Sequence, residues 1–201
     1  DLELEDESKG NIVITGSTAI KLETDNLSVL GSVKGDAILN GLNLTINAGE
    51  KICISGKNGS GKSSLLKVLS TSLDNFEGGI SINDIPIQNL NLKDYRSRLG
   101  VLFDDQEIFF GTYSENISLG REHISGSDII QVSKEVGLDG LISSLPHGYS
   151  QSIINPERTF SGTDRIRLLV ARALVSNPNL VLAEDLFSSL QKDCKESLER
   201  S

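Results

Sequence analysis

Cysteine and histidine are scarce in this 201-residue chain: there are two of each. Cys53 and Cys194 are far apart, with neither metal-ligand spacing nor a disulfide framework, which fits a reducing compartment. Basic charge is also short. Nineteen Lys and Arg stand against 28 Asp and Glu, a net charge of −9, and a nucleic-acid module is more often basic. Nucleic acid is therefore not an expected partner, although a few local donors still suffice for a phosphate site. No apolar run approaches ~18 residues, so this stretch is expected to be soluble and not to span a membrane. No signal-peptide pattern is present, and the chain starts with Asp1 instead of Met, so it is expected to be part of something longer. Repeats and low-complexity segments are absent too. Hydrophobic residues make up 37%, enough for a buried core, and the length suits one domain, or one with a small lobe.

Residues 1–10, DLELEDESKG, read as an acidic linker. IVITG, AIKLE, NLTIN and EKICI, between Asn11 and Ile54, are β-branched runs separated by Gly, Asn and Asp, and each is predicted to be a strand. A helix is expected through SSLLKVLSTSL, a hairpin at EGGISINDIPI and a short buried strand at LGVLF. From about Gly111 to Pro146, Gly and Pro interruptions predict several short helices, one of them placing Ile129, Val132 and Val136 on one face. The run SGTDRIRLLVARALVSN keeps a 3.6-residue period at Ile166, Leu169, Val170, Ala173 and Leu174. Leu180–Leu182, without polar interruption, predict a strand buried on both faces, and QKDCKESLER a final helix.

GKNGSGKSS, residues 56–64, fits the pattern of a phosphate loop. Gly56, Gly59 and Gly61 let the backbone wrap a phosphate, with N–H groups of Asn58, Ser60 and their neighbours turned inward. The helix N-terminus beginning near Lys62 adds partial positive charge, Lys62 reaches the outer phosphates, and the Ser63 hydroxyl suits Mg²⁺, with Ser64 following. A strand pattern before the loop and a helix pattern after it strengthen the match.

Taken together with that loop, VLFDDQEIFFGTYSENI, LPHGYSQ and FSGTDRIRLLVARALVSNPNLVLAEDLFSSL, in this order, resemble the nucleotide-binding domain of ATP-binding cassette (ABC) transporters of the exporter kind. The resemblance covers nearly everything from Ile12 to Leu198. It implies an α/β fold of the P-loop NTPase type: a mostly parallel sheet flanked by helices, with an antiparallel β lobe near the N-terminus. A helical lobe is placed at about residues 111–160, and the whole domain at residues 11–201, with the family's C-terminal end lying past Ser201.

The motifs depart from the family pattern at several points. The signature Leu-Ser-Gly-Gly-Gln reads Phe160, Ser161, Gly162, Thr163, Asp164. In the family this helix start binds the γ-phosphate of ATP held by the opposite subunit. Ser161 and Gly162 retain part of that, whereas Thr163 adds a Cβ and Asp164 a negative charge; the other reading is that the segment is now only a helix start. The family's Asp-Glu pair is inverted to Glu184 and Asp185. The resemblance thus gives Glu184 a metal role and Asp185 that of a base one methylene short. The family's metal-contacting glutamine falls on Asp104, with Gln106 able to replace it only if the loop shifts. No aromatic lies between Asn26 and Asn40 to stack on adenine, and Gln191 replaces an Asp. His123 and His147 both precede the signature, so neither matches the family's switch histidine.

The resemblance implies ATP and Mg²⁺ as cofactors, with Gly56–Ser64 and, from an opposite subunit, Ser161 and Gly162 around the nucleotide. Ser63, Asp104 and Glu184 would serve the metal. The implied partners are a transmembrane domain, upstream in the same chain or in another subunit, and a second nucleotide-binding domain, identical or not. The implied place is the cytoplasmic face of a membrane, within an exporter that couples nucleotide-dependent dimerisation to transport, with slow hydrolysis. The alternative is a regulatory clamp that holds nucleotide without useful turnover; the residues leave open whether the chain is an ATPase.

Overall fold

In β1, Leu22–Leu30, the burial alternation changes phase midway. Leu22 and Thr24 are buried, then Leu27 and Val29, as happens when one extra residue enters a strand. The pairing register to β3, Phe76–Ile82, shifts between Asp25 and Ser28. Asn26 at the bulge has a φ of 49°, and facing Gly78 has a φ of 95°. A Cβ on Gly78 would lie 2.4 Å from the Asn26 carbonyl oxygen and 2.7 Å from that of Asp25. Only glycine permits both that torsion and that approach.

The structure is a computed structural model that describes residues 10–15, 19–31, 37–155 and 159–184. The expected final helix and Asp185 lie outside these residues. The chain divides into two compact units, residues 1–99 and 100–201.

The first unit holds an antiparallel sheet in the order β2-β1-β3-β4, with β2 at Ala37–Ile46 and β4 at Ile85–Pro86. The expected hairpin is β3–β4, and its two turn residues, Asn83 and Asp84, have φ of 50° and 63°, the left-handed pair that a tight hairpin needs. Helix α1, Lys62–Leu69, buries Leu65, Val68 and Leu69 and packs on β1. It is shorter than the predicted SSLLKVLSTSL. Thr71 already has a φ of 60°, and the Ser70 hydroxyl turns back to the Lys67 carbonyl, ending the ladder. In α2, Leu92–Ser97, the Asn91 side chain caps the helix and Tyr95 is fully buried, donating to the Leu69 carbonyl at 2.8 Å.

Two predicted strands of this unit are corrected. Of IVITG, the described residues 12–15 make a single parallel bridge, Ile12 to Leu90. Beyond it the Ile14 N–H goes to the Asp94 carboxylate and its carbonyl accepts from Arg98, so side chains replace a neighbouring strand. EKICI is not a strand: residues 50–56 have no ladder, and Ile52 and Ile54 are exposed. An alternating β-branched run becomes a strand only when another backbone pairs with it.

In the second unit β5, Leu99–Leu102, pairs with β8, Leu180–Ala183. β8 is not buried on both faces as expected: Leu182 is buried and Val181 is 46% exposed. The ribbon β6–β7, Gly111–Thr112 with Ser152–Ile153, is antiparallel. The predicted series of short helices is α3, Tyr113–Ser118, α4, Gly126–Glu135, and α5, Asp139–Ser143. Capping boxes, Thr112 with Glu115 and Ser125 with Asp128, start α3 and α4. Helix α6, Gly162–Leu174, supplies Ile166, Leu168, Leu169, Val170, Ala171 and Ala173 to the core, where they meet Ile117, Ile129, Val132 and Ile142. Truncating Leu169 to alanine there costs about 2–5 kcal/mol.

Candidate functional site

In the first unit the glycine-rich loop leads directly into α1. Gly59 and Gly61 adopt φ of 80° and 85°, and Gly61 is the N-cap residue of α1. A Cβ on Gly61 would come within 2.8 Å of Leu39 and 3.0 Å of Ile38, so β2 backs the loop. Among the described residues no side chain caps α1 and no acid occupies its first turn. Its N-terminal partial charge is thus not offset by an acid of its own first turn.

The Lys62 ammonium turns back into this loop. Its Nζ donates to the carbonyls of Gly56 and Lys57, each at 2.9 Å, and to the Ser60 hydroxyl at 3.4 Å. Lys62 draws the loop into a ring with itself as the closing group. An anion entering the ring meets that ammonium, while the Ser60 N–H is bonded to the Lys57 carbonyl at 3.1 Å. Residues 56–60 and Ser63 are exposed, and Ser64 is half-buried.

The second unit holds the other expected residues. Ser161 caps α6, accepting from the Asp164 N–H at 3.1 Å, and its hydroxyl donates to the Asp164 carboxylate at 2.6 Å. The other Asp164 oxygen meets Arg167 Nη1 at 3.3 Å. Asp164 therefore engages the serine hydroxyl within its own helix start. Gly162 beside it has open space around the position of a Cβ.

Asp104 and Glu184 come together. The Asp104 N–H donates to Glu184 Oε2 at 2.8 Å, and the Glu184 N–H donates to the Leu102 carbonyl at 2.8 Å. Gln106 does not take the exposed position. Its Nε2 donates inward to the Val101 carbonyl at 3.3 Å, and its Oε1 is buried with no hydrogen-bond partner among the described residues. Asp104 and Asp105 are exposed at the turn instead. His123 and His147 are exposed too.

The sequence reading missed two arginines of α6 that hold this same segment. Arg165 Nη2 donates to the Gln106 carbonyl at 2.6 Å. Arg172, 5% exposed, donates to the Glu107 carbonyl at 2.9 Å, the Asn116 carbonyl at 2.8 Å and the Asn116 side-chain oxygen at 3.1 Å. The guanidinium also lies 5.8 Å from the Phe109 ring centroid. Burial, with the charges of Arg121 and Arg165 adding, pulls its pKa down to about 10. The available signal was a charge inside the apolar run LLVARAL.

Among the described residues no three of His, Cys, Asp or Glu form a metal cage. Mg²⁺ does not need one: it is commonly held by one or two protein oxygens beside phosphate and water. The Ser63 hydroxyl and the Asp104 and Glu184 carboxylates are donors of that chemistry. Among the described residues no helix is long and apolar enough to cross a membrane.

Comparison with known proteins places the chain. The ABC transporter family matches over residues 39–188. Multidrug resistance protein pgp-1 of Caenorhabditis elegans is 33% identical over 156 residues, 78% of this chain and 12% of that protein. ATP-binding cassette sub-family B member 5 of Homo sapiens is 30% identical over 186 residues, 92% of this chain and 15% of that protein. The chain thus spans only a small part of such relatives. A solved structure of a bacterial Atm1-family ABC exporter with ATP bound has a TM-score of 0.84 and 26% identity, covering 94% of this chain and 32% of that one. The chain belongs to the ABC transporter family and is similar to the nucleotide-binding domain of its exporters.

Proposed function

We propose that this chain is the nucleotide-binding part of an exporter at the cytoplasmic face of a membrane, holding Mg-ATP and coupling nucleotide-dependent dimerisation to transport. The observation that carries the reading is the loop at the α1 N-terminus, with its two left-handed glycines and inward-turned Lys62. In this reading Lys62 leaves the Gly56 and Lys57 carbonyls for the outer phosphates, and the loop N–H groups close on them. Ser63, Asp104 and Glu184 would hold Mg²⁺ directly or through water, which when bound offsets phosphate charge. Ser161 and Gly162 would face nucleotide on an opposite domain, and a transmembrane domain would be the further partner. Asp185, outside the described residues, would orient the attacking water weakly, because its carboxylate is one methylene short. A positioning error of about 1 Å costs roughly 10² in rate.

A second reading, a clamp that holds nucleotide without useful turnover, draws support from the Glu184 carboxylate, one of whose oxygens is taken up by the Asp104 N–H.

Calorimetry on the full-length protein with ATP, GTP and inorganic triphosphate, each with Mg²⁺, tests the binding. All three are expected to bind, with ATP and GTP within about fivefold, since a stacking aromatic worth ~1–3 kcal/mol is missing. Binding of none of them overturns the proposal. Strong selection for ATP shows that another side chain reads the base. Steady-state release of phosphate by the same protein separates slow motor from clamp.

A further inference from the structure

The bond between Glu184 and Asp104 lies where the chain exchanges the family's aspartate for glutamate. Glu184 directly follows β8, and its N–H reaches the Leu102 carbonyl of β5 at 2.8 Å. Two residues past Leu102 the Asp104 N–H meets Glu184 Oε2, also at 2.8 Å. The acceptor for this N–H is thus a side chain and not a strand carbonyl.

The turn so held is Phe103–Gln106. Its own closing bond, Gln106 N–H to the Phe103 carbonyl, is long at 3.3 Å. Phe103 is buried and anchors one end, and Arg165 holds the Gln106 carbonyl at the other. Between them stand Asp104 and Asp105, both exposed. Bringing a third carboxylate beside two others is electrostatically unfavourable; a charge-assisted bond to an N–H offsets that.

We propose that Glu184 is a positioning residue, whose carboxylate latches the Asp104 turn to the end of β8 and fixes where the Asp104 side chain stands. Reach is the deciding property. Aspartate is shorter by about one carbon–carbon bond, ~1.5 Å, and leaves the Asp104 N–H without this acceptor. Glutamine keeps both the length and an oxygen acceptor. Only one Glu184 oxygen then remains for any other ligand.

The test is hydrogen–deuterium exchange on the full-length protein without nucleotide, read by mass spectrometry with single-amide fragmentation. The quantity is the exchange rate of the Asp104 amide relative to α6 amides of the same sample, in wild type, Glu184→Gln, Glu184→Asp and Glu184→Ala. Glu184→Gln is expected to stay within a few-fold of wild type. Glu184→Asp and Glu184→Ala are expected to exchange roughly tenfold to a hundredfold faster, as for loss of one charge-assisted hydrogen bond. The internal reference removes any general loss of stability, and the absence of nucleotide makes a failure here distinct from a failure to bind ATP. An Asp104 amide with the same relative rate in all four proteins overturns the latch, as does a glutamine variant that exchanges as fast as the alanine one.

Discussion

The Ser161 hydroxyl donates to the Asp164 carboxylate at 2.6 Å while its oxygen accepts the Asp164 N–H at 3.1 Å. A residue that the proposed function turns towards nucleotide is here bonded within its own helix start. Asp164→Ala removes the charge and the 2.6 Å acceptor. The expected outcome is about tenfold tighter ATP-dependent association of the full-length protein, equivalent to ~1.4 kcal/mol. Analytical ultracentrifugation with and without Mg-ATP measures it. Unchanged association means that Asp164 is not the obstacle. Ser161→Ala is expected to cost about 1 kcal/mol of stability through the lost cap.

Lys62→Ala removes the group that closes the loop onto Gly56, Lys57 and Ser60. These bonds are exposed, so the melting temperature without nucleotide is expected to move by no more than about 0.5 kcal/mol equivalent. The melting-temperature rise on adding Mg-ATP is expected to vanish, because linkage stabilisation requires binding. A rise equal to that of the wild type shows that the loop does not take the phosphates through Lys62.

Arg172 joins α6 to Glu107 and Asn116 through three acceptors. Arg172→Leu leaves the two Asn116 acceptors buried without it and is expected to cost about 2–4 kcal/mol in chemical denaturation. Arg172→Lys is not expected to restore it, since one ammonium lacks the planar fork of donors. Full stability in the lysine variant sinks the argument from geometry.

Acid is expected to weaken α3 and α4 through their caps. The Glu115 carboxyl is held below its ordinary value by the Thr112 N–H and then the Thr112 hydroxyl. Asp128 is held low by the Ser125 hydroxyl first, its N–H next and the His123 charge last, against a small opposing effect of desolvation. Because both pKa values are lower when folded, the unfolded chain takes up the protons first. The contribution is present above the ordinary values of 4.5 and 3.8 and is lost as pH falls through the lower folded-state values. Circular-dichroism melts from pH 7 to pH 3 measure it. Glu115→Gln with Asp128→Asn is expected to flatten the acid limb relative to wild type, and an identical limb removes the caps as its cause.

Local chemistry made several elements legible. Asn83 and Asp84 announce a hairpin because few residue pairs accept two positive φ angles. Ser125 and Asp128 mark the start of α4, and Ile129, Val132 and Val136 its buried face. The loop around Lys62 was readable because its chemistry sits within nine consecutive residues, 56–64. What escaped depends on partners distant in sequence. EKICI has a strand's composition but no ladder, and Val181 is exposed although its neighbours are apolar. Arg172 reaches Asn116 across 56 residues, and Asp104 and Glu184, 80 apart, were grouped only through the family resemblance. Spacing along a chain does not encode such meetings.

The close approach at Gly78 has a genetic consequence. Every missense change of a glycine codon adds at least a Cβ, and here that atom meets the Asn26 carbonyl oxygen at 2.4 Å. No substitution at this codon is therefore silent for the sheet, however conservative it looks. An inherited lesion there would show as a shortage of protein, with whatever copies do fold retaining an intact glycine-rich loop at α1.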